Sequence, residues 1–466
     1  MYTHIQKFIH TSLFVVTIGF GIGSISSHAE EEDSDLMESM EKIRWWQDWQ
    51  DPQCVQFIEE GLRNSPDSQI VYARLEQAEA IAVQMRAAFL PSLGVSFTSN
   101  SQPIEALGFG FGLSNLSSMI PSGSDATESS VFTSATSAVT LSVPLDIWGT
   151  GITAYQASTQ DAKATEWDSI NSMRMLAFSI ANAYYDVLAI GQQHVVVTEQ
   201  LRLGTILFNI IEMRQQRDDA TALDVLQQKQ QLNTLQTQQI KIEQQIVLAN
   251  QRLSVLLGTS PTRAITVATT FPTINLYTRQ DIEKLLRERP DIQAAQIRLE
   301  AAEKRRYSTL TKMLPSVGVS GKVSRQSNYK GDSWNSLDSW ALSSSVNLSL
   351  FQGGSKWAAL ESADAAVVIA EENLRKTKLQ AEQELEQSVV NEEQQRRLLL
   401  LAQEQLETAQ LTYEQAQRMY ENSLVPFITV LNTQQSYQQA SFNLLQTQRD
   451  TVRVRMQTMQ SLGVAE

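Results

Sequence analysis

The chain has 466 residues, 42% of them hydrophobic and 19% charged, with a formal net charge of −14 at neutral pH. That balance excludes a disordered chain, and no run after residue 30 reaches the 18 apolar residues of a spanning helix, which excludes a polytopic helical membrane protein. The acidic excess speaks against nucleic acid as a partner, because a phosphate backbone calls for a basic face.

Residues 1–29 read as an export signal: Lys7 supplies the positive start, residues 12–25 are mainly apolar, and Ser27-His28-Ala29 closes the segment with small residues at the two cleavage-site positions. An N-terminal anchor helix is the alternative, disfavoured by the short apolar core and by the acidic run at 30–33. Beyond residue 29 the chain has one cysteine, Cys54, and one histidine, His194, so neither an internal disulfide nor a His-based metal cluster is expected. A Ser or Cys nucleophile lacks a base, and the Gly-rich 108–112 stretch lacks the strand and helix of a nucleotide site. Neither catalysis nor a cofactor is expected.

Residues 30–64 form an N-terminal extension in which Trp45, Trp46 and Asp51-Pro52 lead into a short amphipathic helix at 53–63. From residue 65 the chain says the same thing twice. Residues 65–92 laid over 289–316, at an offset of 224, share eleven of twenty-eight positions, among them Pro66/Pro290, Asp67/Asp291, the Arg-Leu-Glu of 74–76 and 298–300, and the Leu-Pro-Ser of 90–92 and 314–316. Leu223-Asp224-Val225-Leu226 answers Ile428-Thr429-Val430-Leu431 at an offset of 205. Two tandem copies are therefore expected, at 65–258 and 289–462, joined by a linker at 259–288 with Pro261 and Pro272, and followed by a tail at 463–466.

Each copy opens with a helix, 66–89 or 290–313, stopped by Leu-Pro-Ser. The period then changes from 3.6 to 2. Leu93, Val95 and Phe97 alternate with Gly94, Ser96 and Thr98, and Val139, Leu141, Val143 and Leu145 alternate with Thr140, Ser142 and Pro144. In the second copy Val317, Val319 and Val323 oppose Gly318, Ser320 and Lys322, and Trp340, Leu342, Val346, Leu348 and Leu350 oppose Ala341, Ser343, Ser345, Asn347 and Ser349. Strands of about ten residues with one apolar and one small polar face are what a membrane β-barrel uses. A soluble sandwich edge would share the alternation. The uniformly small polar face and the long Ser/Gly/Asn-rich spans at 100–130 and 326–339, taken as tip loops, favour the barrel, and Tyr329, Trp334 and Trp340 suit an interfacial belt. Four strands cannot close a barrel, since about eight is the minimum, so subunits must pool them.

After each hairpin comes a proline-free helical pattern, 151–216 or 354–421, long enough at ~1.5 Å per residue to reach roughly 100 Å. A shorter helix returns at 221–257 or 426–462. Val225, Gln228, Leu232, Leu235, Gln239, Ile242, Ile246, Ala249, Leu253 and Leu256 follow steps of three and four, a coiled-coil seam. The other faces are crowded with Gln, Asn, Ser and Thr, which either meet solvent or line a water-filled duct.

Several of these elements together resemble one family: Trp45-Trp46 with Asp51-Pro52, Arg289-Pro290-Asp291-Ile292, Leu350-Phe351-Gln352-Gly353-Gly354, and the turns ending in Val225-Leu226 and Val430-Leu431. The chain is similar to the TolC-like outer membrane efflux proteins, closest to the branch paired with RND-type pumps. The resemblance implies a mainly α protein with a membrane β-barrel: a homotrimer with a 12-strand barrel in outer membrane lipid and a 12-helix periplasmic tunnel. It also implies docking to a periplasmic adaptor protein and an inner-membrane RND-type or ABC-type pump. Many members of that branch start at an acylated cysteine; no cysteine stands at the signal end here, which leaves the barrel as the anchor.

The same resemblance places a constricted entrance at the two helical turns farthest from the barrel. There Asp218, Asp219 and Asp224 are expected to meet Arg418, Tyr420, Val425, Thr429 and Asn432. Asp224 matches the family's acidic position and Tyr420 its aromatic donor. The second turn's two acidic positions are Thr429 and Asn432, and its basic partner is Val425, so one carboxylate ring and one salt-bridged lock are missing. Asp224 also fits the third helical position of a capping box with Thr221. A passive efflux duct is the expected function, with protein secretion through the same duct as one alternative and a coiled-coil scaffold outside any membrane as another.

Overall fold

The computed structural model describes residues 45–46, 51–103, 131–263, 265–267, 271–272, 289–330 and 333–462. The export-signal segment, the acidic run, the 108–112 stretch, most of the 259–288 linker and the 463–466 tail lie outside the described residues.

Helix α1 (Pro52–Asn64) begins where the Asp51 carboxylate accepts from the backbone N–H of Gln53 and Cys54, at 3.2 and 3.1 Å, with proline in the first turn, where a missing N–H costs nothing. Ser65 caps α2 (Pro66–Ala87) in the same way. Strands β1 (Ser92–Pro103) and β2 (Val131–Leu145) lead to the 66-residue α3 (Thr150–Gln215) and its return helix α4 (Ala222–Leu256). The order then recurs with α5 (Pro290–Thr311), β3 (Ser316–Lys330), β4 (Ser333–Asn347), the 67-residue α6 (Ser355–Glu421) and α7 (Phe427–Leu462).

The two long helices are staves, each matched by different partners along its two halves. Near the sheet, α5 runs antiparallel to α3: Ser308 donates to the Thr150 carbonyl at 3.0 Å, and ion pairs follow at Arg305–Asp161 and Arg298–Asp168. The other side of α5 meets α6 through Arg306–Asp364, while α2 lies on α3 around Tyr155 and Met173. In the far half, α4 and α7 take over. Gly204 of α3 faces Gln228, Leu232 and Leu235 of α4, and Gln395 of α6 reaches the Thr447 carbonyl of α7 at 3.0 Å.

The halves meet at an apolar hub. Residues 176–188 of α3 are almost wholly enclosed by Trp45, Trp46, Cys54, Phe57 and Ile58, by Leu253 and Leu257, and by Val452 and Met456 of α7. Trp45 stacks on Phe178 at 4.3 Å, and the Asp51 carboxylate that starts α1 also accepts from the Tyr185 hydroxyl at 3.0 Å. Where α4 ends, Gly258 stands at φ 69 so close to the α1–α2 junction that a Cβ would lie 2.2 Å from the Asn64 carbonyl oxygen. Only glycine fits this crossing. Deeper charges are paired: Arg455 bonds Glu392 at 3.0 Å, and Arg289 bonds Asp291, Glu384 and the Ser461 carbonyl. Arg174 donates to the Gln460 carbonyl, and its burial, helped by the neighbouring Arg289 charge, lowers its pKa to about 10.

The strands form one antiparallel sheet in the order β1-β2-β3-β4 rather than two separate hairpins. Register brings the apolar positions of all four onto one face: Leu93–Leu141–Gly321–Leu342 in one row, Val95–Val139–Val323–Trp340 in the next, with Leu145–Val317–Val346 nearer the helices. Among the described residues nothing covers this face, and Val95 and Trp340 are each 80% exposed. The span 326–339, expected as a tip loop, is instead strand on both sides of residues 331–332. Its pairs include Ser327 with Ser336 and Tyr329 with Trp334, the latter's rings 5.2 Å apart. Serine and asparagine there hold positions on both faces of the continuing strands, and hydroxyls bond across the ladder at Ser324–Ser339 on the polar face and Ser327–Ser336 on the other, both 3.0 Å. β1 likewise runs on to Pro103, and residues 104–130 lie outside the described residues.

Candidate functional site

Farthest from the sheet, both helical hairpins end in the same turn, 205 residues apart. Asp218 and Ser423 adopt φ of 62 and 57, and the next residue's N–H reaches back five positions: Asp219 to the Arg214 carbonyl at 2.9 Å, Leu424 to that of Met419 at 2.8 Å. Such a left-handed residue satisfies the last carbonyls of a helix and reverses the chain. Beyond the first turn, Thr221 and Asp224 form a reciprocal capping box. The Asp224 carboxylate accepts from the Thr221 N–H and hydroxyl at 2.9 and 2.8 Å, and the Thr221 hydroxyl from the Asp224 N–H at 3.2 Å.

The two turns share one apolar knot. Leu207 and Ile211 of α3 pack with Tyr413 and Ala416 of α6 and with Phe427, Val430 and Leu431 of α7, flanked by Val225, Tyr420 and Tyr437. The tyrosines give the knot a polar side: Tyr413 stacks on Tyr437 at 5.9 Å and accepts from the Gln417 amide at 2.7 Å. Burial, reinforced by Tyr437, pushes the Tyr413 phenol up to about 12.

The link between the hairpins is a cation the sequence reading did not single out. The Arg214 guanidinium lies 5.0 Å over the Tyr420 ring and donates to the carbonyls of Tyr420 and Glu421, at 3.4 and 3.2 Å, where α6 ends. A cation on an aromatic face and at a helix C-terminus is favoured twice, by the ring quadrupole and by the helix dipole. Burial raises the Tyr420 phenol above its ordinary value, opposed by Arg214 and assisted by the Asp224 charge. Beside this contact a groove of about 320 Å³ opens between α3 and α6, lined in part by Ile210, Arg214, Gln417, Tyr420 and Tyr437.

Of the residues expected at an entrance, Tyr420 lies in the knot, and Asp224, Val425 and Thr429 are half-buried beside it. Asp218, Asp219, Arg418 and Asn432 are exposed. The first-turn carboxylates do not meet Arg418 within the chain; Arg214 makes the hairpin-to-hairpin contact. The Gln-rich faces also divide. Gln228, Gln231, Gln434 and Gln438 are buried in helix seams, where Gln228 bonds the Gly204 carbonyl at 2.9 Å and Gln231 bonds Gln438 at 3.2 Å.

Among the described residues no group of three or more His, Cys, Asp or Glu is placed to hold a metal ion, and no helix is long and apolar enough to cross a membrane. His194 lies 3.6 Å from Glu243 on the return helix. The Cys54 thiol is fully buried, and that burial raises its pKa. What this arrangement offers is a long polar-faced helical body capped by a one-sided sheet.

A sequence profile of the family described as outer membrane efflux protein matches residues 57–259 and 282–464. The "Pyoverdine export outer membrane protein OpmQ" of Pseudomonas aeruginosa is 28% identical over 296 residues, which span 62% of this chain and 60% of that protein. The protein of the same name from Pseudomonas putida is 26% identical over 422 residues, 90% of this chain and 87% of that one. Among solved structures, the outer membrane protein VceC of Vibrio cholerae superposes with a TM-score of 0.75 at 25% identity, covering 90% of this chain and 98% of its own. The CmeC outer membrane channel of Campylobacter jejuni shares the fold, with a TM-score of 0.77 at 18% identity over 91% of this chain and 88% of its own.

Proposed function

Because the chain belongs to the outer membrane efflux protein family, we propose that three copies of it form a continuous duct through which an inner-membrane pump expels solutes, with no energy conversion in the duct itself. The observation that carries this reading is the sheet. Among the described residues its apolar face is bare, and its outer strands β1 and β4 each leave one edge unpaired. Unpaired edges in lipid leave backbone groups without partners, so a spanning sheet has to close on itself. Four strands are too few to close, whereas three copies give twelve, about 25 Å across at ~4.8 Å per strand and a tilt of ~40°. The same three copies bring four helices each to every level below the sheet, α2, α3, α5 and α6 near it and α3, α4, α6 and α7 beyond, a ring of twelve.

On this reading the chain is a tandem duplication. The sheet lies in the outer membrane, the helices hang in the periplasm, and the knotted turns form the entrance that meets a periplasmic adaptor and an RND-type or ABC-type pump. Asp218, Asp219 and Asp224 would ring that entrance with carboxylates, with Tyr420, Val425, Thr429, Asn432 and Arg418 on the neighbouring turns. Relatives are named for different cargo, pyoverdine export and toluene efflux, which suits a wide polar passage whose choice of solute is made by the pump. Reconstitution in planar bilayers tests the function: discrete conductance steps are expected, and a purified protein that stays water-soluble and gives no steps overturns it.

A further inference from the structure

The sheet's second face carries a charge pattern that the duct reading does not require. From the row of Ser92 to the row of Asn100 the face opposite the apolar one reads Ser92–Ser142–Ser320–Ser343, then Gly94–Thr140–Lys322–Ala341, Ser96–Ala138–Ser324–Ser339, Thr98–Thr136–Gln326–Leu337 and Asn100–Ser134–Asn328–Asn335. Lys322 is the one charged residue in those five rows. It is exposed, and its row-mates are small: a Cβ at Gly94 would meet nothing within 4 Å. The other two charges near it, Arg325 and Asp338, stand on the apolar face and satisfy each other at 2.7 and 2.8 Å, so neither offsets Lys322. Hydroxyls border it on both sides, Ser142, Ser320 and Ser343 in one adjoining row and Ser96, Ser324 and Ser339 in the other.

We propose that Lys322, repeated three times around the barrel and flanked by rows of serine hydroxyls, is a cationic ring that favours anionic solutes, such as carboxylates, in transit through the outer membrane segment. The proposal rests on the duct reading, which makes this face the lumen. In a chain of net charge −14 a positive girdle within five otherwise neutral rows, rich in hydroxyls, is a local reversal of sign; Lys330, at the end of β3, lies beyond those rows. A lysine is a compact point charge on a flexible stem, and serine hydroxyls can donate to an anion held near it. Three such charges about one Debye length, ~8 Å, from the axis concentrate monovalent anions there about two- to threefold and deplete cations equally. The ring acts on solutes within the barrel, independently of the acidic turns at the far end of the helices.

Conductance selectivity would mix the two ends, so the test reads the potential at the ring itself. Ser324→Cys places a thiol two residues from Lys322, about 7 Å along the strand, and Asn328→Cys places one about 20 Å away. The native Cys54 is buried and silent. In the full-length protein reconstituted in vesicles, the rates of modification by a negatively and a positively charged methanethiosulfonate are compared with Lys322 present and replaced. Lys322→Gln is expected to lower the anion-to-cation rate ratio at Ser324→Cys about threefold and Lys322→Glu about ninefold, with the ratio at Asn328→Cys moving less than about 1.5-fold. An unchanged ratio at Ser324→Cys, or a thiol there that stays unreactive while Asn328→Cys reacts, overturns the ring and leaves the duct standing if conductance steps persist. Loss of the steps in the unsubstituted protein removes both.

Discussion

Replacing Arg214 with alanine removes the polar tie between the two turns at the far ends of the helical hairpins. The contact has two parts. A guanidinium 5.0 Å over a half-buried tyrosine ring contributes about 0.5–1 kcal/mol, and a cation at the last carbonyls of α6 contributes about 0.3–1 kcal/mol more. The donor distances of 3.2 and 3.4 Å are long, which argues against adding a full charged hydrogen bond for each. The sum, about 1–2 kcal/mol, corresponds to a 5- to 30-fold shift in any equilibrium that separates the hairpins. Arg214→Ala is therefore expected to raise amide exchange in residues 210–220 and 414–424 by that factor and to increase open probability in bilayers in parallel. Arg214→Lys keeps the charge and loses the planar fork, so it should fall between. A cycle with Tyr420→Leu isolates the ring, since the Tyr420 and Glu421 carbonyls remain in that variant, and coupling of about 0.5–1 kcal/mol is expected. Exchange and open probability both unchanged in Arg214→Ala would refute the tie.

The capping box makes a second prediction. Thr221→Ala and Asp224→Ala should each loosen the start of α4 by about 1 kcal/mol, and the double variant should lose little more than either single one, because both remove the same reciprocal pair. Cation preference measured on Asp224→Ala separates two roles: a fall indicates a carboxylate facing the passage as well as a cap, and no change leaves the cap alone. The tyrosine knot makes an alkaline prediction. The Tyr413 phenol titrates near 12 in the folded protein and near 10 in the unfolded chain, so the folded state holds its proton more tightly. Its stabilising contribution is complete below pH 10 and is lost as pH rises toward 12. Thermal unfolding followed by circular dichroism should show a shallower alkaline decline in Tyr413→Phe than in the unsubstituted protein; parallel declines would contradict the shift.

Helix boundaries were legible in the sequence because their stops and starts are chemical. Asp51-Pro52, Ser65-Pro66 and Arg289-Pro290 fix three helix entries within a residue or two of those observed. The heptad steps of 225–256 found the seam of α4, where Gln228, Leu235, Ile242 and Leu253 are indeed buried. Composition misled where a strand face is small and polar. Residues 326–339 look like a loop because serine and asparagine hold positions on both faces there, and only pairing reveals the ladder. Glutamines misled in the opposite direction: Gln231 and Gln434 carry polar ends into tight helix seams, so side-chain polarity alone did not mark a solvent face. Arg214 escaped notice because its ring partner is 206 residues away. Its place in the last turn of α3, where a cation suits the dipole, was the available signal.

A duct through the outer membrane requires the sheet to close between copies. Ser96 in β1 and Ser343 in β4 lie on the same face at the two open edges. A Ser96→Cys/Ser343→Cys double variant treated in membranes with a short bismaleimide should give covalent dimers and trimers on denaturing gels and nothing larger. Monomer alone, with both thiols shown to be reactive, or a ladder running past three copies, would contradict a closed ring of three.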